Sequence, residues 1–161
     1  MDDLQLLISL HKPALRQGPG GEAETRRALE LAGLDRSRPL KIADIGCGTG
    51  ASTIQLAQEL DAQIVAVDFL PEFLDELQER AHKAGVASQI TPLACSMEAL
   101  PFADNEFDVI WSEGAIYNMG FEAGVAAWQH FLKPGGILVL TEITWLSASC
   151  PQPLQAHWAS E

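Results

Sequence analysis

Five short stretches of the chain are apolar almost without interruption: 40–45 (LKIADI), 63–69 (QIVAVDF), 89–95 (QITPLAC), 107–112 (FDVIWS) and 136–143 (GILVLTEI). Runs of this length and composition predict strands buried on both faces of a parallel sheet. The segments between them carry apolar residues at helical spacing. Ile54, Ala57 and Leu60 define one helix. Phe73, Leu74, Leu77, Ala81 and Ala84 define the next, with Pro71 suited to its first turn and Gly85 to its stop. Residues 121–132 predict a further helix, closed by a KPGG turn. Ahead of the first strand, residues 1–12 (Leu4, Leu7, Ile8, Leu10) and 22–32 (Ala28, Leu29, Ala32, then Gly33) predict two more helices. The segment RQGPGG, 16–21, is a loop by composition, either a linker between those helices or a flap over a ligand site. LDRSRP is a turn into the first strand.

Strand and helix alternate, which predicts a doubly wound α/β fold with a mainly parallel, Rossmann-like sheet. A single domain is expected: a helical segment and loop over 1–39, a ligand-binding core over 40–143 and a short C-terminal segment over 144–161. In such sheets ligands bind beyond the carboxyl ends of the strands, near the point where strand order reverses. The residues just after each strand therefore hold the candidate chemistry.

The first strand ends in Asp44 and three alternating glycines, Gly46, Gly48 and Gly50. Glycine accepts positive φ in a tight turn and lets a ligand approach the backbone. Gly46, Gly48 and Ala51 satisfy the dinucleotide pattern G-x-G-x-x-G/A. The second strand ends at Asp68, eighteen residues past Gly50 (68 − 50). A carboxylate there can accept both hydroxyls of a ribose, in a nicotinamide enzyme as in other nucleoside-binding proteins.

Further along, Glu98-Ala99-Leu100-Pro101-Phe102, an acidic turn and Phe107-Asp108-Val109-Ile110 are followed by Leu132 to Gly136, LKPGG. With DIGCGTG at 44–50, this ordered set resembles the class I S-adenosylmethionine-dependent methyltransferases of the small-molecule type. WSEGAIYNMGFE, 111–122, resembles a bacterial subgroup of them. The resemblance implies S-adenosyl-L-methionine as cofactor and a small molecule as methyl acceptor. It implies that Asp44 and the loop Gly46, Cys47, Gly48, Thr49 and Gly50 hold the methionine portion, and that Asp68 binds the ribose with Phe69 beside the adenine. Ser96 stands where many relatives carry an Asp toward the adenine amine. A hydroxyl also accepts there, without the charge. Met97 and Glu98 would complete the adenine side, and Ser112 and Glu113 would lie near the sulfonium. Glu113, Tyr117 and Glu142 are the candidates for a base, Glu113 and Tyr117 foremost. Two other readings stay open, a cofactor-binding module without catalysis and an NAD-dependent oxidoreductase.

Composition narrows the partners. The net charge is −12, and the ten Lys and Arg are scattered, so no basic footprint for nucleic acid or an acidic membrane surface exists. No apolar run reaches a membrane span of ~18 residues. The amino terminus lacks the basic and small-residue features of a secretory signal. A cytoplasmic location is expected. Cys47, Cys95 and Cys150, and four histidines without ligand spacing, predict neither disulfide nor metal site. The family resemblance implies seven strands in the order 3-2-1-4-5-7-6, the seventh antiparallel. After strand five only eighteen residues remain (161 − 143). The last two strands are therefore expected to be missing, with at most a short helix near Leu154 to Trp158. Strand five would be an apolar edge, and a homodimer through that edge is expected.

Overall fold

A computed structural model describes residues 3–144. The expected helix near Leu154, and Cys150, lie outside the described residues. Five strands form one parallel sheet in the order β3-β2-β1-β4-β5. β1 (Leu40–Ile45) lies at the centre between β2 (Ala62–Asp68) and β4 (Phe107–Glu113), with β3 (Ile90–Ala94) beyond β2 and β5 (Leu132–Thr141) beyond β4. The chain steps outward from β1 to β3 and then returns to β4, so the reversal point lies between β1 and β4. A crevice opens at the carboxyl ends of those two strands.

The apolar runs are explained by the layers. α2 (Glu22–Ala32), α3 (Ala51–Glu59) and α4 (Pro71–Ala84) cover one face, where Leu29, Leu56, Leu74 and Leu77 meet Ile42, Ile64, Val109 and Trp111. On the other face Ala43, Ile45, Phe107 and Ile110 pack with Trp128 of α5 (Phe121–Trp128) and with Ile116 and Phe131. Trp111 and Trp128 are completely buried. Truncating either to Ala would cost ~3–5 kcal/mol through lost contact and a residual cavity. α1 (Asp3–His11) precedes this core, and the strap Lys12–Gly21 joins it to α2. Among the described residues no helix is long and apolar enough to cross a membrane.

The expected boundaries need correction at the last strand. α5 stops at Trp128, and a 3-10 turn, Gln129–Phe131, leads directly into β5, which begins at Leu132 and ends at Thr141. The KPGG segment is therefore a bulge inside the strand. Phe107 pairs with Leu132 and Val109 with Ile137, so β5 spends extra residues on one step of β4. Gly135 takes a φ of 79°, a left-handed value that makes the bulge possible, and Lys133 Nζ anchors it to Asp108 Oδ2 at 2.8 Å.

Candidate functional site

A cavity of about 630 Å3 opens at the carboxyl end of the sheet. Its floor is the loop after β1. Gly46 and Gly48 have φ of 76° and 56°. A Cβ on Gly46 would collide with that of Ala115, and one on Gly48 would stand 2.5 Å from Gln17 Oε1. Both positions therefore need glycine for conformation, and Gly46 also for space, whereas at Gly48 the Gln17 side chain would have to give way. One side wall is the end of β2, with Asp68, Phe69 and Leu70, and the adjoining wall runs from Cys95 to Glu98. The loop after β4 supplies Glu113 to Ala115 and Tyr117 to Met119. Arg16, Gln17, Gly18 and Pro19 of the strap form the last wall.

Ten of the expected site residues line this space: Gly46, Cys47, Gly48, Asp68, Phe69, Ser96, Met97, Glu98, Glu113 and Tyr117. Asp44, Thr49, Gly50 and Ser112 stand behind the walls. Asp44 is fully buried and accepts the hydroxyls of Ser52 (3.0 Å) and Thr53 (2.7 Å). Burial pushes its pKa up to about 7, against the hydrogen bonds from Thr53 and Ser52. Thr49 donates its N–H to Gln17 Oε1 (3.0 Å), and Gly50 packs on Leu77. Ser112 donates to the Ile45 carbonyl (2.8 Å) and ties β4 to β1.

The lining residues are arranged as follows. Asp68 accepts the N–H groups of Gly48 and Leu70, each at 2.9 Å, through different oxygens. Burial raises its pKa in spite of these bonds. A carboxylate has about four acceptor positions, so capacity remains for two ribose hydroxyls. Phe69 is 69% exposed at the cavity wall, a free aromatic face beside Asp68. Ser96 Oγ accepts the Glu98 N–H at 3.2 Å, and the Met97 carbonyl is held by Trp128 Nε1 at 3.1 Å. Cys47 is buried, and burial holds its thiol well above the usual range, so it remains a neutral wall residue.

Glu113 is fully engaged. Oε2 accepts Arg16 Nη1 (2.6 Å) and the Thr25 hydroxyl (3.0 Å), and Oε1 accepts Trp111 Nε1 (2.8 Å). Tyr117 stands at the mouth, 64% exposed, and its N–H donates to Glu142 Oε2 at 3.2 Å. Of the two readings of the 16–21 segment, linker or flap over a ligand site, the second agrees with Arg16, Gln17, Gly18 and Pro19 as walls, although none of them was singled out individually. The only sequence signal for them was the loop composition of 16–21, which a linker shares.

The electrostatics select among ligands. All five N–H groups from Gly46 to Gly50 are already bonded within the chain, to Val67 O (twice), Asp68, Gln17 and Cys47 O. Arg16 is the one cation among the described lining residues, and it is paired with Glu113. Within the glycine loop a diphosphate would find no open backbone donor, and the lining offers no spare positive charge. A nucleoside that carries positive charge and no phosphate fits this acidic space.

Residues 42–136, more than half of the chain, match the family described as Methyltransferase domain. The chain is 30% identical over 140 residues to 27-O-demethylrifamycin SV methyltransferase of Amycolatopsis mediterranei (strain S699), covering 84% of this chain and 50% of that protein. It is 37% identical over 122 residues to demethylmenaquinone methyltransferase of Corynebacterium urealyticum, covering 74% and 46%. Among solved structures, phosphoethanolamine N-methyltransferase 2 of Haemonchus contortus in complex with S-adenosyl-L-methionine superposes with a TM-score of 0.78 at 25% identity, covering 89% of this chain and 33% of that one. The chain belongs to the methyltransferase domain family, with the Rossmann-like fold of the class I S-adenosylmethionine-dependent enzymes. That solved neighbour holds S-adenosyl-L-methionine, a sulfonium nucleoside without phosphate, and the acidic lining of the cavity in this chain is compatible with such a ligand. The chain spans about half the length of the curated relatives that it matches.

Proposed function

We propose that this chain carries the cofactor-binding core of a methyltransferase acting on a small-molecule acceptor. The supporting observation is the combination in one cavity of the glycine floor, Asp68 and an acidic lining whose one cation is neutralised. The cofactor supplies a methyl group already activated on a sulfonium, so the residues of the chain mainly have to position and orient. Asp68 holds the ribose hydroxyls, Phe69 flanks the adenine, and Ser96 and Met97 bound its edge. The loop Gly46–Gly48 brings backbone surface against the methionine portion, and Asp44 braces that loop through Ser52 and Thr53. Where the acceptor carries a proton, Tyr117 at the mouth is the group best placed to take or relay it. Glu113 serves as an anchor, because Arg16, Thr25 and Trp111 already occupy its oxygens.

The named acceptors of the relatives, a demethylrifamycin, a demethylmenaquinone and phosphoethanolamine, differ widely. The test is therefore transfer of isotopically labelled methyl to a broad panel of small-molecule acceptors. Labelled product with one of them supports the proposal. Stoichiometric cofactor binding without any transfer supports a cofactor-binding module instead. Self-association through β5 is a second part of this reading. β4 is buried along nearly all of its length, whereas β5 is mostly half-exposed and pairs with β4 alone among the described residues. Such an edge favours pairing with a second copy. Sedimentation velocity should find a dimer, and a clean monomer would refute the pairing.

A further inference from the structure

The strap that walls the cavity is held by polar bonds and by little apolar burial. In α1 and the strap Ile8 is buried, but Leu6, Leu10 and Leu15 are exposed. Beside the Arg16–Glu113 pair, what fastens it is Arg80, on α4 and outside the cavity. All five guanidinium N–H groups are used. Nη2 donates to the carbonyls of Lys12 (3.2 Å) and Ala14 (3.1 Å), and Nη1 to the Leu15 carbonyl (3.1 Å) and Thr49 Oγ1 (2.8 Å). Nε pairs with Glu76 at 2.8 Å, which fixes the fork. Thr49 is also the residue on which Gln17 latches, through its N–H (3.0 Å) and its hydroxyl (3.1 Å). One side chain thus binds the strap backbone and the glycine loop together.

We propose that Arg80 is a positioning residue for the cofactor, holding the strap Lys12–Pro19 closed over a bound S-adenosyl nucleoside. The proposal rests on the cavity being the cofactor site. Arg80 touches nothing in the cavity, so it acts through the strap. Its loss takes a donor from three strap carbonyls, of which that of Ala14 keeps only Gln17 Nε2 (3.2 Å) and Thr49 Oγ1 (3.4 Å). The strap then lifts while the sheet and the glycine loop persist, because segments held by few buried apolar contacts open locally. The effect falls on escape of the ligand and leaves its entry nearly unchanged.

The test uses the full chain with Arg80→Met and two readouts. Surface plasmon resonance with S-adenosylhomocysteine should show dissociation about tenfold faster or more, with association within about twofold. Trypsin, in the absence of ligand, should cut the Arg16–Gln17 bond correspondingly faster, since Arg16 is only 15% exposed in the closed strap. Arg80→Lys keeps a charge for Glu76 but cannot span three carbonyls and Thr49, so it should behave like the Met variant. Should Arg80→Met fail to fold, Gln17→Ala cuts the same latch from the strap side and should move both readouts in the same direction. Unchanged dissociation overturns the proposal. So does faster dissociation without faster cleavage after Arg16, or full rescue by Lys. If the unaltered chain binds no S-adenosylhomocysteine, the cofactor reading falls and this proposal with it. Binding that is indifferent to Arg80 overturns the proposal alone.

Discussion

Asp44 and Asp108 lie on neighbouring strands near opposite ends of the sheet, and their surroundings differ in kind. Asp108, at the start of β4, is saturated. Its Oδ1 accepts Arg38 (2.8 Å), and its Oδ2 accepts the Lys41 N–H (2.9 Å) and Lys133 Nζ (2.8 Å). Burial alone would raise its pKa, but the bonds from Lys133, Lys41 and Arg38 outweigh it and bring the value down to about 2. Asp44, near the end of β1, has two hydroxyl donors on one oxygen, no partner for Oδ1, and a pKa raised to about 7. The amino end of the sheet is therefore built for stability, pinning β1, β4 and the β5 bulge at one carboxylate. The carboxyl end keeps a poorly compensated acid under the glycine loop, with Asp68 and Glu113 nearby. A cationic ligand relieves that imbalance, and the proposed cofactor, S-adenosylmethionine, would bring such a charge on its sulfonium.

The comparison can be broken at either end. The largest effect is expected for Gly48→Val at the carboxyl end. Its side chain must adopt a positive φ and displace Gln17, so S-adenosylhomocysteine affinity should fall more than about 100-fold by titration calorimetry. Retained affinity would reduce the loop to a simple turn. Next comes the pH dependence of stability through Asp44. Its folded pKa of about 7 exceeds the unfolded value of ~3.9. Its contribution is thus complete below about pH 4 and is lost as pH rises through about 7. Urea unfolding at pH 4 and pH 8 should show wild type losing ~3 kcal/mol relative to Asp44→Asn, which cannot ionise. A constant difference between the two proteins would show that Asp44 titrates in the folded chain as it does in the unfolded one.

Asp68→Ala should weaken S-adenosylhomocysteine binding by about 10- to 100-fold, as for the loss of hydrogen bonds to a charged group. An unchanged dissociation constant would remove Asp68 from the site. The smallest effect is expected at the amino end. Asp108→Ala should cost about 2 kcal/mol of stability by urea unfolding while leaving cofactor affinity within about twofold. The Asp108 contribution is present above about pH 4 and disappears as pH falls through about 2, opposite in direction to Asp44. A large loss of affinity in this variant would mean that the two ends are coupled.

Much of this was legible in the chain before its structure. β1, β2 and β4 read directly, because strands buried on both faces must be continuous apolar runs, and Pro71 and Gly85 bracket α4 as their backbone preferences require. The glycine floor, Asp68 and Phe69 were legible because they follow strand ends. The start of β5 was not, since KPGG carries turn chemistry and only the pairing with Phe107 and the Lys133–Asp108 contact extend the strand through it. Thr49 and Ser112 were named from a family pattern and Gly50 from the alternation of glycines, and neither signal separates a wall from the residues that brace it. The strap was the least legible part. Arg16 meets Glu113 across 97 positions of sequence, and Arg80 meets Ala14 across 66, distances at which no local periodicity can signal a contact.

The most direct measurement of the central claim, that the carboxyl end of the sheet is built for a nucleoside without phosphate, is a paired calorimetric titration of the chain with S-adenosylhomocysteine and with NAD. Saturable one-to-one binding of S-adenosylhomocysteine, with no detectable heat for NAD at the same concentrations, is the predicted result. Absence of S-adenosylhomocysteine binding, or equal binding of NAD, would contradict it.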